Sequence, residues 1–251
     1  MKVAAIQHDI TWEDRDATLT HITPMVAKAA AEGARLVVLP EMFAVGFSMQ
    51  PQRAAEPVGG PTSAWLVEQA RTLGIWIGGS IPERGEGRPR NVFVLAGPDG
   101  TTHRYAKVHP FTYSGEHEHY DSGDELVTVE VDGVRIALFV CYDLRFADEF
   151  WGLAEDTDLY LVVASWPASR AHHWRSLLLA RAIENQAYVV GCNRVGDGNG
   201  THYAGGSCIV DPQGQVLASE GDHEAVLFAE VDPTTVAATR DRFPFLRDRR
   251  R

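Results

Sequence analysis

Cysteine is scarce in this chain. Only Cys141, Cys192 and Cys208 occur in 251 residues, with no C-x-x-C spacing among them. An odd, unpaired set argues against a disulfide framework and for a reducing cytosol. Basic residues are in deficit as well: 23 Lys and Arg against 34 Asp and Glu leave a net charge of −11. Nucleic-acid affinity rests on clustered cations, so no nucleic-acid partner is expected, and the acidic excess reads as a solubility device. No apolar stretch reaches the ~18 residues that a membrane helix needs. Val3-Ala4-Ala5-Ile6 is too short for a signal sequence and runs straight into Asp9, Glu13 and Asp14. These absences predict a cytoplasmic protein with no membrane partner. There is also no linker, low-complexity tract or charge break, which predicts a single domain over residues 1–251. No G-x-G-x-x-G follows the first apolar run, which disfavours a Rossmann fold.

What the chain does have is a composition 45% hydrophobic, enough for a large core. Strand-length apolar runs alternate with amphipathic stretches. Residues 2–7 and 35–39 read as strands, and between them Leu19, Ile22, Val26, Ala29 and Ala30 recur at helical spacing. A second helix is predicted from an N-cap at Thr62 or Ser63 to Gly74, and a third over residues 174–185. Further strands are predicted over 75–80, 91–96, 127–130, 135–140, 159–164, 188–193, 207–210 and 226–230. Gly97-Pro98-Asp99-Gly100 and Asp211-Pro212-Gln213-Gly214 each lie between apolar strands and suit tight turns. Their recurrence suggests two related halves. The pattern predicts an α/β sandwich of mixed sheets covered by helices.

Three strand ends each deliver a reactive side chain. In Leu36-Val37-Val38-Leu39-Pro40-Glu41, proline stops the ladder and Glu41 lands at the strand's mouth, where α/β folds bind ligands. A second apolar run, Ile136-Ala137-Leu138-Phe139-Val140, ends at Cys141, with a helix expected near Arg145. Helix-terminal N–H groups there would lower a thiol pKa and supply an oxyanion hole. The third is Lys107, in Tyr105-Ala106-Lys107-Val108-His109. Each alone has a commoner explanation: a surface acid, a packed thiol, a solvated edge cation. Cys192 and Cys208, inside apolar strands, are taken as packing. Together, a glutamate to accept a proton, a cysteine to attack and a lysine to hold an oxyanion complete an acyl-transfer set.

Leu39-Pro40-Glu41, Tyr105-Ala106-Lys107-Val108-His109 and Cys141-Tyr142-Asp143-Leu144-Arg145-Phe146 resemble, in order, spacing and local pattern, the nitrilase superfamily of carbon–nitrogen hydrolases. The similarity runs from Val3-Ala4-Ala5-Ile6-Gln7 to Asp211-Pro212-Gln213-Gly214. It implies a nitrilase-type α-β-β-α sandwich and hydrolysis of a small-molecule amide through a cysteine thioester, with no cofactor and no metal. Members carry a second glutamate, matched by Glu116, with Glu118 as the alternative. Tyr142 would supply a backbone oxyanion donor, and Arg145 and Trp166 would bind substrate. Ala164-Ser165-Trp166-Pro167, Arg170, Trp174, residues 180–186 and Asn193-Arg194-Val195-Gly196 resemble the omega-amidase branch, which hydrolyses side-chain amides of 2-oxo acids. In related hydrolases of carboxylated substrates an arginine at the position of Arg145 contacts the carboxylate; otherwise Arg145 would pair with Asp148 or Glu149.

Other small amides, N-carbamoyl compounds and nitriles stand as alternative substrates for the same set. His103, His109, His117 and His119 with Glu116 and Glu118 offer zinc-type ligands, but a metallohydrolase would leave the Cys–Glu–Lys pattern unexplained. A binding protein that keeps the fold without catalysis would be expected to lose Cys141, Glu41 or Lys107, and all three are present. Relatives pair through surface helices and C-terminal tails, so a homodimer or higher homo-oligomer is expected, with Phe243-Pro244-Phe245-Leu246 suited to the contact.

Overall fold

The computed structural model describes residues 1–250. Its two large sheets face each other. The first runs Ala225–Glu230, Lys2–Gln7, Leu36–Val38, Trp76–Arg84, Arg90–Ala96 and Thr102–Ala106, with Glu56–Pro57 paired onto Trp76–Arg84. The second runs Thr128–Val131, Val134–Val140, Leu159–Ala164, Tyr188–Asn193, Cys208–Val210 and Val216–Ser219. Read in these orders, neighbouring strands pair antiparallel, parallel, parallel, antiparallel and antiparallel in both sheets. The two turn motifs close the last hairpin of each sheet, so the repeated motif does mark two halves of matching topology.

Alternation along the strands builds the layers. Val3, Ala5, Leu36 and Val38 point at the second sheet, where they join Leu138, Leu161 and Val190 in one buried core. Ala4, Ile6 and Val37 point the other way, under Ile22 and Val26 of the Arg15–Ala31 helix and Leu66 and Ala70 of the Pro61–Leu73 helix. On the far side, Trp174, Leu178 and Ala182 of the Ala171–Asn185 helix cover the second sheet. Helices therefore cover both outer faces: an α-β-β-α sandwich.

Several elements depart from their predicted bounds. The helix expected from Thr62 or Ser63 starts at Pro61, with Gly60 as its N-cap. The buried carboxylate of Glu56 accepts from Thr62 N and Ser63 N at 3.0 Å, so a tertiary partner supplies the cap, and proline suits the first helical position. The strand predicted to end at residue 80 continues to Arg84 because Arg90–Ala96 pairs along it. Among the elements beyond those predicted are a hairpin and a helix near the C-terminus. The hairpin Val195–Gly198/Thr201–Ala204 turns at Asn199 and Gly200, both at positive φ, and the helix Pro233–Arg242 is capped by Asp232. Asn-Gly and Asp-Pro are the local signals for them.

Gly123 permits a close approach that bears on function. A Cβ there would lie 2.2 Å from the carbonyl oxygen of Ala106, while Gly123 N donates to Lys107 O at 2.8 Å. Gly123→Ala should therefore cost about 1–3 kcal/mol, as overpacking does, and lower the urea midpoint. A wild-type midpoint would show that the strand end carrying Lys107 yields freely.

Candidate active site

Four segments from both sheets converge on one buried charge. Pro40 cannot extend the ladder, and Glu41 follows it fully buried. Its Oε1 accepts from Lys107 Nζ at 2.9 Å and Asn91 Nδ2 at 2.8 Å, and its Oε2 from Ser165 N at 2.8 Å. Lys107, at the end of Thr102–Ala106, also donates to Glu116 Oε2 at 2.8 Å, and Asn91 Nδ2 donates to Glu116 Oε1 at 3.1 Å. One ammonium and one amide thus bridge two carboxylates. Gly115, at φ 80°, sets the single turn Glu116–His119 so that Glu116 is fully buried. Glu118, the alternative second glutamate, is exposed.

Cys141 opens a short 3-10 turn, Cys141–Arg145, at the end of Val134–Val140. Its φ is 48°, uncommon for a side chain other than glycine, and the turn is over-determined by Asp143. Asp143 Oδ2 accepts from Val140 N at 3.0 Å and Tyr105 Oη at 2.8 Å, while Oδ1 accepts from His109 N at 2.9 Å. That carboxylate ties the strand end carrying Cys141 to the strand end carrying Lys107.

Burial pulls the Lys107 pKa down, but Glu116 and Glu41 outweigh it, so the ammonium is held charged. Glu116 is raised by burial, against the pull of Lys107. Cys141 is held well above the ordinary thiol range by burial first and by the Glu41 carboxylate second. This reverses the expectation of a thiol lowered by helix-terminal N–H groups. The turn after Cys141 is short, and burial dominates, with the Glu41 carboxylate beside the sulfur adding to it. The regular helix, Ala147–Leu153, begins only beyond Arg145.

A cavity of about 250 Å³ opens onto Cys141, with Phe47, Phe111, Trp166 and Tyr203 among its apolar walls. Tyr142 and Arg145 also line it. Trp166 is fixed from three sides: its N donates to Asn193 Oδ1 at 2.8 Å, its indole N–H to Arg170 O at 2.9 Å, and its ring packs on Trp174. The Arg145 guanidinium lies 4.8 Å over the Trp166 ring, with Nη2 3.2 Å from His173 Nδ1. Its pairing with Asp148 or Glu149 does not form. The four histidines of the alternative metal set are dispersed: His103 stacks on Trp76, His109 on Phe146, and His117 faces solvent. Among the described residues no group of three or more His, Cys, Asp or Glu could hold a metal ion. Cys192 points between the sheets toward Ile6 O and Val38 O, and Cys208 is buried in its strand. No described helix is long and apolar enough to cross a membrane.

Asn91, Asp143 and Phe47 belong to the site and had no predicted role. Their signals were slight: a polar residue opening an apolar strand, an acid inside the cysteine segment, and a phenylalanine in an irregular loop. Ser165 enters the sequence pattern only within the segment that resembles the omega-amidase branch.

Comparison with known proteins gives a consistent answer. The chain is 41% identical to omega-amidase YafV of Escherichia coli K12, covering 99% of this chain and 96% of that protein. It is 32% identical to a 2-oxoglutaramate amidase of Bacillus subtilis, covering 99% and 97%. The solved structure of XC1258 from Xanthomonas campestris, a CN-hydrolase superfamily protein with an arsenic adduct in the active site, superposes with a TM-score of 0.96 at 37% identity, covering 100% and 97%. The carbon–nitrogen hydrolase family model matches residues 2–241, and with relatives of this identity along its whole length the chain belongs to the carbon–nitrogen hydrolase family.

Proposed function

We propose that the protein is an omega-amidase, hydrolysing the terminal amide of a small 2-oxo acid such as 2-oxoglutaramate to the acid and ammonia. The observation that carries this reading is Arg145, a guanidinium with no carboxylate within 4 Å among the described residues, in the wall of the cavity onto which Cys141 opens. The names of the relatives, omega-amidase and 2-oxoglutaramate amidase, support it.

In this mechanism the Cys141 sulfur attacks the amide carbon while Glu41 takes the thiol proton. Lys107 and the backbone N–H of Tyr142 hold the oxyanion. Glu41 passes its proton to the leaving nitrogen, the C–N bond breaks, and ammonia departs from a thioester. Glu41 then takes a proton from water, whose oxygen attacks the thioester, and the acid and the thiol are regenerated. Glu116 holds Lys107 and, through Asn91, the Glu41 carboxylate, so it positions both.

Cys141→Ala should abolish turnover in a folded protein, and iodoacetamide should inactivate the wild type at Cys141 with protection by substrate. Glu41→Gln and Lys107→Ala should each lower the rate by at least ~100-fold. Glu116→Gln should cost less than either, and Glu118→Gln should cost little. Appreciable turnover in Cys141→Ala, or a larger loss from Glu118→Gln than from Glu116→Gln, would overturn these roles.

A guanidinium fork to a carboxylate contributes ~1.5–3 kcal/mol. Arg145→Ala should thus raise KM for 2-oxoglutaramate roughly tenfold or more, and affect butyramide far less. Ammonia release from a panel of amides, N-carbamoyl amines and nitriles checks the whole reading. It predicts the highest kcat/KM on 2-oxoglutaramate, and a nitrile in that place would refute it. The protein is further proposed to act in the cytosol as a homodimer. Exposed Phe243 and Ile183, which border one surface groove, support pairing. Sedimentation at twice the 27.6 kDa subunit mass is the expected result, and a monomer at micromolar concentration would remove it.

A further inference from the structure

A second guanidinium lines the catalytic cavity. Arg170 closes the turn Ala168–Arg170, immediately before the Ala171–Asn185 helix, and is half-buried. Its Cζ lies 5.3 Å over the Phe111 ring and 5.9 Å from that of Tyr113. By contrast, Arg104 pairs with Glu83, Arg135 with Asp158 and the fully buried Arg194 with Asp9. Arg170 has no carboxylate within 4 Å among the described residues. It is nevertheless coupled to Arg145 through one side chain, because Trp166 donates its indole N–H to Arg170 O and carries the Arg145 guanidinium on its ring.

No Asp or Glu lines this cavity. Glu41 and Glu116 lie behind the thiol, occupied by Lys107 and Asn91. In a chain of net charge −11, two guanidiniums without counterions around so small a space make a local anion site against the global field. The aromatic faces beneath them keep the cations oriented.

We infer that Arg170 is a second substrate-binding residue, which acts with Arg145 to select amides whose far end carries hydrogen-bond acceptors and no ammonium. The inference rests on the omega-amidase reading and deepens it. A carboxylate beside a 2-oxo oxygen presents acceptors to two guanidinium forks. The corresponding 2-amino acid amide, glutamine, would bring a like charge beside both cations with no acid to offset it. A purely structural role is the competitor: stacking on Phe111 could simply brace the loop whose Phe111 N–H donates to Glu116.

Steady-state kinetics of Arg170→Ala on 2-oxoglutaramate, glutamine and butyramide separate the two. Loss of one charged fork should raise KM for 2-oxoglutaramate roughly tenfold with kcat nearly kept. The preference for 2-oxoglutaramate over glutamine should shrink, and butyramide should respond far less. Arg170→Lys should recover part of the loss. An equal fall on butyramide would reveal bracing of the loop, and no change on any substrate would reveal a solvated rim; either overturns the inference. If the wild type prefers butyramide to 2-oxoglutaramate, the omega-amidase reading fails, but Arg170 is still tested. Glutarate should then inhibit butyramide hydrolysis competitively, with a Ki raised roughly tenfold in Arg170→Ala, and an unchanged Ki would refute the anion site.

Discussion

A single buried ammonium, Lys107 Nζ, sits 2.9 Å from Glu41 and 2.8 Å from Glu116, and the rest of the site is arranged around that fact. Each of the three side chains is almost completely removed from water. Charges so placed are costly to desolvate, and their attraction compensates only when the remaining hydrogen-bonding groups are also met. Here Asn91, Ser165 N and Phe111 N meet them. The cluster therefore cannot lose a member quietly: removing the lysine would leave two buried carboxylates facing each other. That constraint fixes the relative position of four chain segments separated by up to 124 residues.

The same burial governs Cys141, the proposed nucleophile. The Cys141 thiol is surrounded by packed side chains and a carboxylate, which raises its pKa, and the nearby ammonium only partly offsets this. Burial and the carboxylate both disfavour a standing thiolate. In the proposed mechanism the thiol's reactivity comes from proton transfer to Glu41 as the sulfur approaches carbon, with Lys107 receiving the negative charge on the carbonyl oxygen. On those roles the arrangement would stabilise charge that develops during the reaction, where a preorganised dipole or cation contributes most.

The strands were legible in the sequence because they obey local rules: apolar runs of strand length and a proline stop. Glu41, Lys107 and Cys141, at strand ends, stood out only as a set and through the resemblance to carbon–nitrogen hydrolases. Residues 2–7, 159–164 and 188–193 needed no correction. What local rules miss is whatever depends on a distant partner. The start of the Pro61–Leu73 helix depends on Glu56, the turn at Cys141 on Asp143, and the union of Glu41 with Glu116 on Asn91. The sign of the thiol shift failed for the same reason. A cysteine before a turn looks like a helix-end thiol until the carboxylate delivered by the other sheet is in place.

The matching topology of the sheets explains why the proposed nucleophile, Cys141, and the proposed base, Glu41, come from different halves. In strand order, Leu36–Val38 of the first sheet corresponds to Leu159–Ala164 of the second, and the residues beyond them meet. Glu41 N donates to Ala164 O, and Ser165 returns two hydrogen bonds to Glu41. Lys2–Gln7 corresponds likewise to Val134–Val140, so His8 stands where Cys141 stands in the other half. The outcomes differ because of what covers each. The hairpin Val195–Gly198/Thr201–Ala204, inserted after Tyr188–Asn193, closes over the first sheet's end through Val195 N to His8 O at 3.1 Å. His8 is left fully buried, its pKa pushed by desolvation to about 4, and so neutral. The loop after the corresponding Trp76–Arg84 spans only residues 85–89, with no such hairpin, and the end of the second sheet stays open at Cys141. Two equivalent strand ends thus become a sealed histidine and a thiol that lines a cavity, and the hairpin that seals one also presents Thr201 and Tyr203 to the cavity of the other.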